Sequence, residues 1–355
     1  MPTLLTASSA ASLPLKNCGS LKAAGKVIAR TMNRSVKFVI AAIAMTFGQQ
    51  VLAQDTGPLD QLVRQDARLA EIAERLLAGN RQFCRLEMPL TGMVLHSRDQ
   101  YSPRIAGDAF TNGSVAVAAV VPDSPAAEAG IQSGDGLAAV AGNPTAQVAP
   151  AAETPLRDTV LAALASQAGN PSLELELVRG GRRFETVLAA PTGCQALVEI
   201  KAANSLEARS DGRVIQVDYG LAAAASDLEL AAVFAHELAH LVLEHRRRLE
   251  AAGVEKGFFG EFGKNQRLNR QVEVEADRMA VHLLANAGYD PAIAPAFWRT
   301  RLGRRAGGGL LRSRTYPSPE ARASLVEREI ADYLGGGAGP SHPGHLLSRR
   351  NVGFD

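Results

Sequence analysis

The sequence predicts an α+β protein: a mainly helical domain with a small β-rich domain inserted after its first helix. Two contrasts in patterning carry this. Residues 59–83 and the chain from 221 onward place apolar side chains at helical spacing, whereas residues 88–190 break into short apolar runs separated by Gly, Pro, Asn and Asp. The chain has 355 residues, 46% hydrophobic and 21% charged, enough for two modest domains with apolar cores. Aromatic content is 5%, so those cores must be built from Leu, Val, Ile and Ala. A net charge of +2 gives no basis for a nucleic-acid partner held by phosphate neutralisation.

Residues 1–53 read as an export signal. Lys26, Arg30, Arg34 and Lys37 precede the apolar run Phe38 to Phe47, and small residues suit cleavage between Ala53 and Gln54. Met32 is well placed as the true start. The run is too short to span a bilayer with ease, and a retained anchor is the alternative. Export implies a periplasmic protein of a Gram-negative bacterium, with no stable membrane span after cleavage. In an oxidising compartment Cys84 and Cys194, which flank the β-rich segment, become disulfide partners; two buried free thiols are the alternative.

The first helix of the helical domain falls in residues 54–87, with Leu59, Leu62, Val63, Leu69, Ile72, Leu76 and Leu77 on one stripe. Within the insertion, 88–192, Val115 to Val121 and Leu173 to Val178 read as strands, and Arg179-Gly180-Gly181-Arg182 as a hairpin turn. Ser124-Pro125-Ala126 opens a short helix, followed by Ala129-Gly130 and Gly134-Asp135. This order of landmarks resembles a PDZ domain, which implies recognition of a peptide ligand by strand addition. A generic β-rich insertion is the alternative, and the residues that would hold a peptide are not identifiable here.

Residues 226–249 form a strong helix candidate, opened by a Ser226/Glu229 capping box. His236 and His240 are four apart on it, so both imidazoles leave one face. With Glu237 between them this is H-E-x-x-H, two ligands for a zinc ion and a carboxylate that can act as base. A second helix over 270–287 stops at Gly288 and carries Glu273 and Asp277 on one face. Glu273 can supply a third ligand, leaving Asp277 to hydrogen-bond a ligand histidine.

Residues 200–330 resemble the zinc metallopeptidase family that includes the CAAX prenyl endopeptidase and the HtpX-type bacterial proteases, gluzincins whose helices carry H-E-x-x-H and E-x-x-x-D. The family's A-G-x-D-P is matched by Ala287-Gly288-Tyr289-Asp290-Pro291. The resemblance implies a peptidase domain over 193–334 and one Zn2+ per chain on His236, His240 and Glu273. Glu237 then activates the metal-bound water. Where family members have a Thr-His-Pro, this chain has Thr315-Tyr316-Pro317, so Tyr316 becomes a candidate donor to the oxyanion, with ordinary packing as the alternative.

The function expected is hydrolysis of exported or misfolded proteins, with the insertion selecting or gating protein and peptide substrates. A PDZ-based binding or chaperone-like protein with a latent metal site is the alternative. The strand Arg213 to Tyr219 is the expected edge for an extended substrate. His245 and His282 are expected to be surface or packing residues, and His342 and His345 fall in a tail, 335–355, expected to be disordered. Oligomeric state and substrate are not legible.

Overall fold

The computed structural model describes residues 57–147, 155–254, 264–306, 317–335 and 339–354. The expected leader, 1–53, and Tyr316 lie outside the described residues.

Helix α1 (Pro58–Gly79) starts with proline at its first position, where no intrahelical N–H is needed. It buries Leu69, Ile72, Ala73, Leu76 and Leu77 against the helical core, as the stripe predicts. Strand β1 (Glu87–Pro89) leads into the β-rich unit. That unit runs through β2 (Met93–Ser97), α2 (Pro103–Ala109), β3 (Val115–Val120), α3 (Pro125–Glu128), β4 (Gly136–Val140) and β5 (Asn143–Pro144). It continues with α4 (Leu156–Ala165), β6 (Leu173–Arg179) and β7 (Arg182–Leu188). Its antiparallel sheet has the order β2-β3-β4-β6-β7, with β5 paired to β4. In β6 Leu173, Leu175 and Leu177 point into the core while the glutamates between them do not, the period-two pattern of a half-covered strand. Gly180 and Gly181, at φ 56° and 76°, make the tight turn into β7 that other residues resist.

The chain returns through β8 (Thr192–Cys194), which pairs antiparallel with β1 and sets Glu87 opposite Cys194. Cys84 and Cys194 are joined by a disulfide, with Cα atoms 5.4 Å apart. The two stems of the insertion are therefore held together by a ladder and a covalent bond.

The helical unit contributes a small sheet, β9 (Leu197–Lys201), β10 (Ala208–Ser210) and β11 (Val214–Asp218), in the order β10-β11-β9. Then follow α5 (Tyr219–Ala224), α6 (Asp227–Val242), α7 (His245–Ala251) and α8 (Lys264–Asn286). The remainder is α9 (Ile293–Arg299), α10 (Arg301–Ala306), α11 (Pro319–Tyr333) and α12 (Gly344–Leu347). Helix α1 docks on this sheet through Asp66, whose Oδ1 accepts from the Ile200 N–H at 2.7 Å. Arg157 of α4 ion-pairs with Glu199 of β9, tying the insertion to the same sheet. No helix among the described residues is long and apolar enough to cross a membrane.

Two expectations are corrected. The helix read over 226–249 is broken: Glu244 adopts a left-handed conformation, φ 53°, and the chain restarts as α7. The tail read as disordered is packed over 339–354. Leu346 and Leu347 enter the helical core, and Arg350 donates to the Phe83 carbonyl at 2.6 Å. Two adjacent leucines in a Gly/Pro-rich stretch have no periodicity to signal this.

Candidate metal centre

Helix α6 begins at the Ser226 capping box, with Ser226 accepting from the Glu229 N–H and Glu229 reaching back to Ser226 N–H. Its inward face is almost entirely Ala, Leu, Val and Phe, which sinks it into the core and carries His236, Glu237 and His240 with it. Helix α8 packs alongside. Asp277 and Glu273, one turn apart, face the histidines, and the chain reverses beyond α8 at Gly288, φ 73°.

The donor atoms of three residues converge. His236 Nε2 and His240 Nε2 are 3.2 Å apart; Glu273 Oε2 stands 3.4 Å from the first and Oε1 3.5 Å from the second. Ligand bonds of about 2.0–2.1 Å at tetrahedral angles separate donor atoms by roughly 3.3 Å, close to each of these contacts, so the three residues are spaced to share one ion. The donor chemistry, two imidazoles and a carboxylate, fits the same ion. Glu237 is buried and lines the same cavity of about 260 Å³, whose walls include Val233, Phe297, Trp298 and Val326.

The surrounding charges are arranged around this gap. His236 Nδ1 lies 3.1 Å from Asp277 Oδ1. Asp277 in turn receives Nε and Nη2 of Arg322 at 2.6 and 2.7 Å, and the Arg322 guanidinium lies on the Trp298 ring, 3.7 Å from its centroid. Burial disfavours charge on His236, but hydrogen bonds to Asp277 and Glu273 outweigh it and raise its pKa to about 10. Burial likewise works against the Glu273 carboxylate, and His236, His240 and Arg322 together pull its pKa well down. His240 goes the other way, held neutral by desolvation. A bound metal would displace the His236 proton; with both imidazoles then neutral, three carboxylates (Glu237, Glu273, Asp277) and one guanidinium leave two net negative charges, the complement of a divalent ion.

The predicted set His236, Glu237, His240, Glu273 and Asp277 is thus brought together, and Cys84 and Cys194 are bonded at a distance from it. Sequence reasoning missed two partners. Arg322 sits on α11 with no motif linking it to α8. His245, expected at the surface or in packing on the far side of the helix, is buried, and its Nδ1 is 2.9 Å from His240 Nδ1. The break at Glu244 swings it back towards His240. If His240 offers Nε2 to a metal, its Nδ1–H donates to His245 Nδ1, whose Nε2–H then donates to Glu275 Oε2 at 3.2 Å. Arg248 Nη1 holds the same Glu275 oxygen at 2.6 Å.

The expected substrate edge is also corrected. Strand β11, within Arg213 to Tyr219, is paired on both sides, in parallel with β9 and antiparallel with β10. The edge of this sheet at the cavity is β10, and Ala208, Arg209 and Ser210 line the opening.

Residues 195–263 match the model of Peptidase family M48. The mitochondrial metalloendopeptidase OMA1 of Arabidopsis thaliana is 32% identical over 123 residues, covering 28% of this chain and 24% of the relative. The chain spans about a quarter of that relative's length. Among solved structures, the crystal structure of the HtrA3 PDZ domain bound to a phage-derived ligand is similar at 21% identity and a TM-score of 0.23, covering 30% of this chain and 88% of that one.

Proposed function

We propose, starting from the M48 segment, that the chain is a zinc-dependent endopeptidase. The observation that carries this is the convergence of His236, His240 and Glu273, with contacts of 3.2, 3.4 and 3.5 Å, beside Glu237 in one cavity. His236, His240 and Glu273 would hold the ion. Bound there, zinc supplies Lewis acidity, polarising a carbonyl and making water a competent nucleophile near neutral pH.

The chain's own groups do the rest. Glu237 takes the proton of the attacking water and passes it to the leaving amine. Asp277 orients His236 through Nδ1, and Arg322 keeps Asp277 ionised and in place. The extended substrate pairs its main chain with β10, which favours tolerance of many side chains. Apolar walls around Val233, Phe297 and Val326 favour an apolar side chain next to the cleaved bond. Tyr316 is the remaining assignment, a donor to the developing oxyanion. The β-rich unit selects or gates protein substrates, and the signal-like leader places the reaction on exported or misfolded proteins in the periplasm.

The test is Glu237→Gln. Zinc content, measured on purified protein, should stay at one per chain, while chelator-sensitive cleavage of casein falls about 10²–10⁴-fold. A variant that keeps wild-type activity removes Glu237 as the base. Unmeasurable zinc and activity in the wild type overturn the enzyme reading itself.

A further inference from the structure

The break between α6 and α7 gathers basic residues that the proposed hydrolysis does not use. Arg247 and Arg248 of α7, Arg85 beside the disulfide and Arg350 of the tail line a cavity of about 520 Å³, together with Asn351 and Phe354. This cavity shares no wall with the one that holds His236 and Glu237. Its cations are held in place. Arg85 and Arg247 both pair with Glu244, the left-handed residue of the break. Arg85 Nη2 also donates to Asn351 Oδ1 at 3.0 Å, and Arg350 Nη1 donates to the Phe83 and Val242 carbonyls at 2.6 and 3.5 Å.

Arg248 is held at one end only. It is 4% exposed, and its Nη1 donates to Glu275. Its Nε and Nη2 are buried with no hydrogen-bond partner among the described residues, and the Phe354 ring covers the guanidinium, its centroid 4.4 Å away. Buried polar groups are as a rule hydrogen-bonded, so two orphaned donors on one charged group call for an acceptor. The charges ask for an anionic one. Arg85, Arg247, Arg248 and Arg350 meet two carboxylates, Glu244 and Glu275, and Arg349 adds another cation 3.8 Å from Glu275. Burial lowers the pKa of Arg350; Glu244 opposes this, and the charge of Arg85 adds to it.

We infer that this cavity is a binding site for a phosphoryl group, with the Arg248 fork as its floor and the Phe354 ring as its cover. A phosphoryl group brings up to two negative charges and three acceptor oxygens, enough to answer the surplus charge and both orphaned N–H groups at once. A carboxylate brings one charge. Phe354 holds the guanidinium face by cation–π attraction and swings aside when phosphoryl oxygens take Nε and Nη2. Leu86 and Val352, next in sequence to Arg85 and Asn351, are 65% and 57% exposed, an apolar margin suited to the organic part of a phosphate ester or a lipid. The site goes beyond the peptidase reading, and its test does not depend on cleavage.

The full zinc-loaded chain is titrated with phenyl phosphate by calorimetry, and one molecule should bind per chain. Arg248→Met should weaken binding about 10–100-fold, the share of hydrogen bonds to a charged group. Phe354→Ala, which lifts the cover, should tighten it about 2–5-fold. Sedimentation with phosphatidylglycerol vesicles, against phosphatidylcholine alone, separates the sources. Retention that Arg248→Met loses marks a lipid headgroup, and phenyl phosphate bound without retention marks a soluble phosphate ester; either supports the site. Neither probe bound, wild-type affinity in Arg248→Met, no tightening in Phe354→Ala, or benzoate bound as tightly as phenyl phosphate overturns it. Should Arg248→Met fail to fold by circular dichroism, Arg85→Gln combined with Arg247→Gln, both side chains 56% exposed, must still weaken phenyl phosphate at least about 3-fold.

Discussion

Helix α8 presents two clusters of identical composition. Near its middle, Glu273 meets His236 and His240; two and a half turns later, His282 meets Glu329 of α11 and His345 of α12. The second cluster closes on itself. His282 Nε2 and His345 Nε2 both reach Glu329 Oε1, at 3.0 and 2.7 Å, and Arg278 takes Oε2 at 2.6 Å. Those are direct hydrogen-bond lengths, and one carboxylate against one guanidinium leaves no net charge. The first cluster is spaced slightly wider and, once its imidazoles are neutral as metal ligands, carries two uncompensated negative charges. Two histidines and a glutamate do not define a metal site; the spacing of the donors and the local charge balance do. Glu329 also has its pKa lowered: burial opposes the charge, and His282, Arg278 and His345 more than offset it.

The sharpest way to break this contrast is to neutralise each glutamate. Glu273→Gln should abolish stoichiometric zinc and reduce cleavage by 10³-fold or more, on the order of 4 kcal/mol at the barrier. The metal content of Glu329→Gln should remain one per chain. Zinc lost from both would erase the distinction. Chemical denaturation should reverse the ranking: Glu329→Ala strands Arg278, His282 and His345 without their shared acceptor and costs about 2–4 kcal/mol of stability.

A smaller effect separates ligands from the groups that orient them. His245→Phe keeps the ring volume but removes the acceptor for His240 Nδ1, and should weaken zinc binding about 10–100-fold in chelator competition. His245→Asn, able to present an oxygen near the same place, should recover most of that. Equal affinity in His245→Phe would show that the chain to Glu275 is only packing.

Asp66 supplies the control, a half-buried carboxyl with an amide partner but no cation as close as those of either cluster. Burial raises its pKa to about 7, with the Ile200 N–H and Arg157 opposing. The folded state then retains a proton that the unfolded chain has lost between about pH 4 and 7, so stability falls with rising pH across that window and levels off above it. Asp66→Asn keeps the oxygen that accepts from Ile200 and removes the titration. Relative to wild type it should gain on the order of 2 kcal/mol on going from pH 5 to pH 8, read by urea unfolding.

Legibility followed the reach of each physical signal. The donors on α6 and α8 could be placed because helical period fixes which side chains share a face over one turn. The β-rich unit was visible because its glycines, the SPA turn and the alternating leucines of β6 are local. His245 was misjudged because extrapolating that period assumes an unbroken helix, and nothing local to Glu244 announces a left-handed residue. Arg322 lies 45 residues beyond Asp277, and only the packing of α11 on α8 joins them. The role of β10 as edge depends on strand order, which no strand records in its own sequence. The tail is held by Leu346, Leu347, His345 and Arg350, single contacts whose partners all lie far away in the chain.

The joined stems of the insertion make it a cassette. Where β1 and β8 pair, Pro89 stands opposite Thr192, so the chain leaves the helical unit and re-enters it at neighbouring ladder positions. A two-residue hairpin turn bridges such a pair. Excising the sheet between them and closing the gap with Asn-Gly would leave the disulfide, α1 and the metal helices on an uninterrupted path. The doorway makes the β-rich unit a separable part of the chain, one whose removal does not interrupt the helices that carry His236, His240 and Glu273.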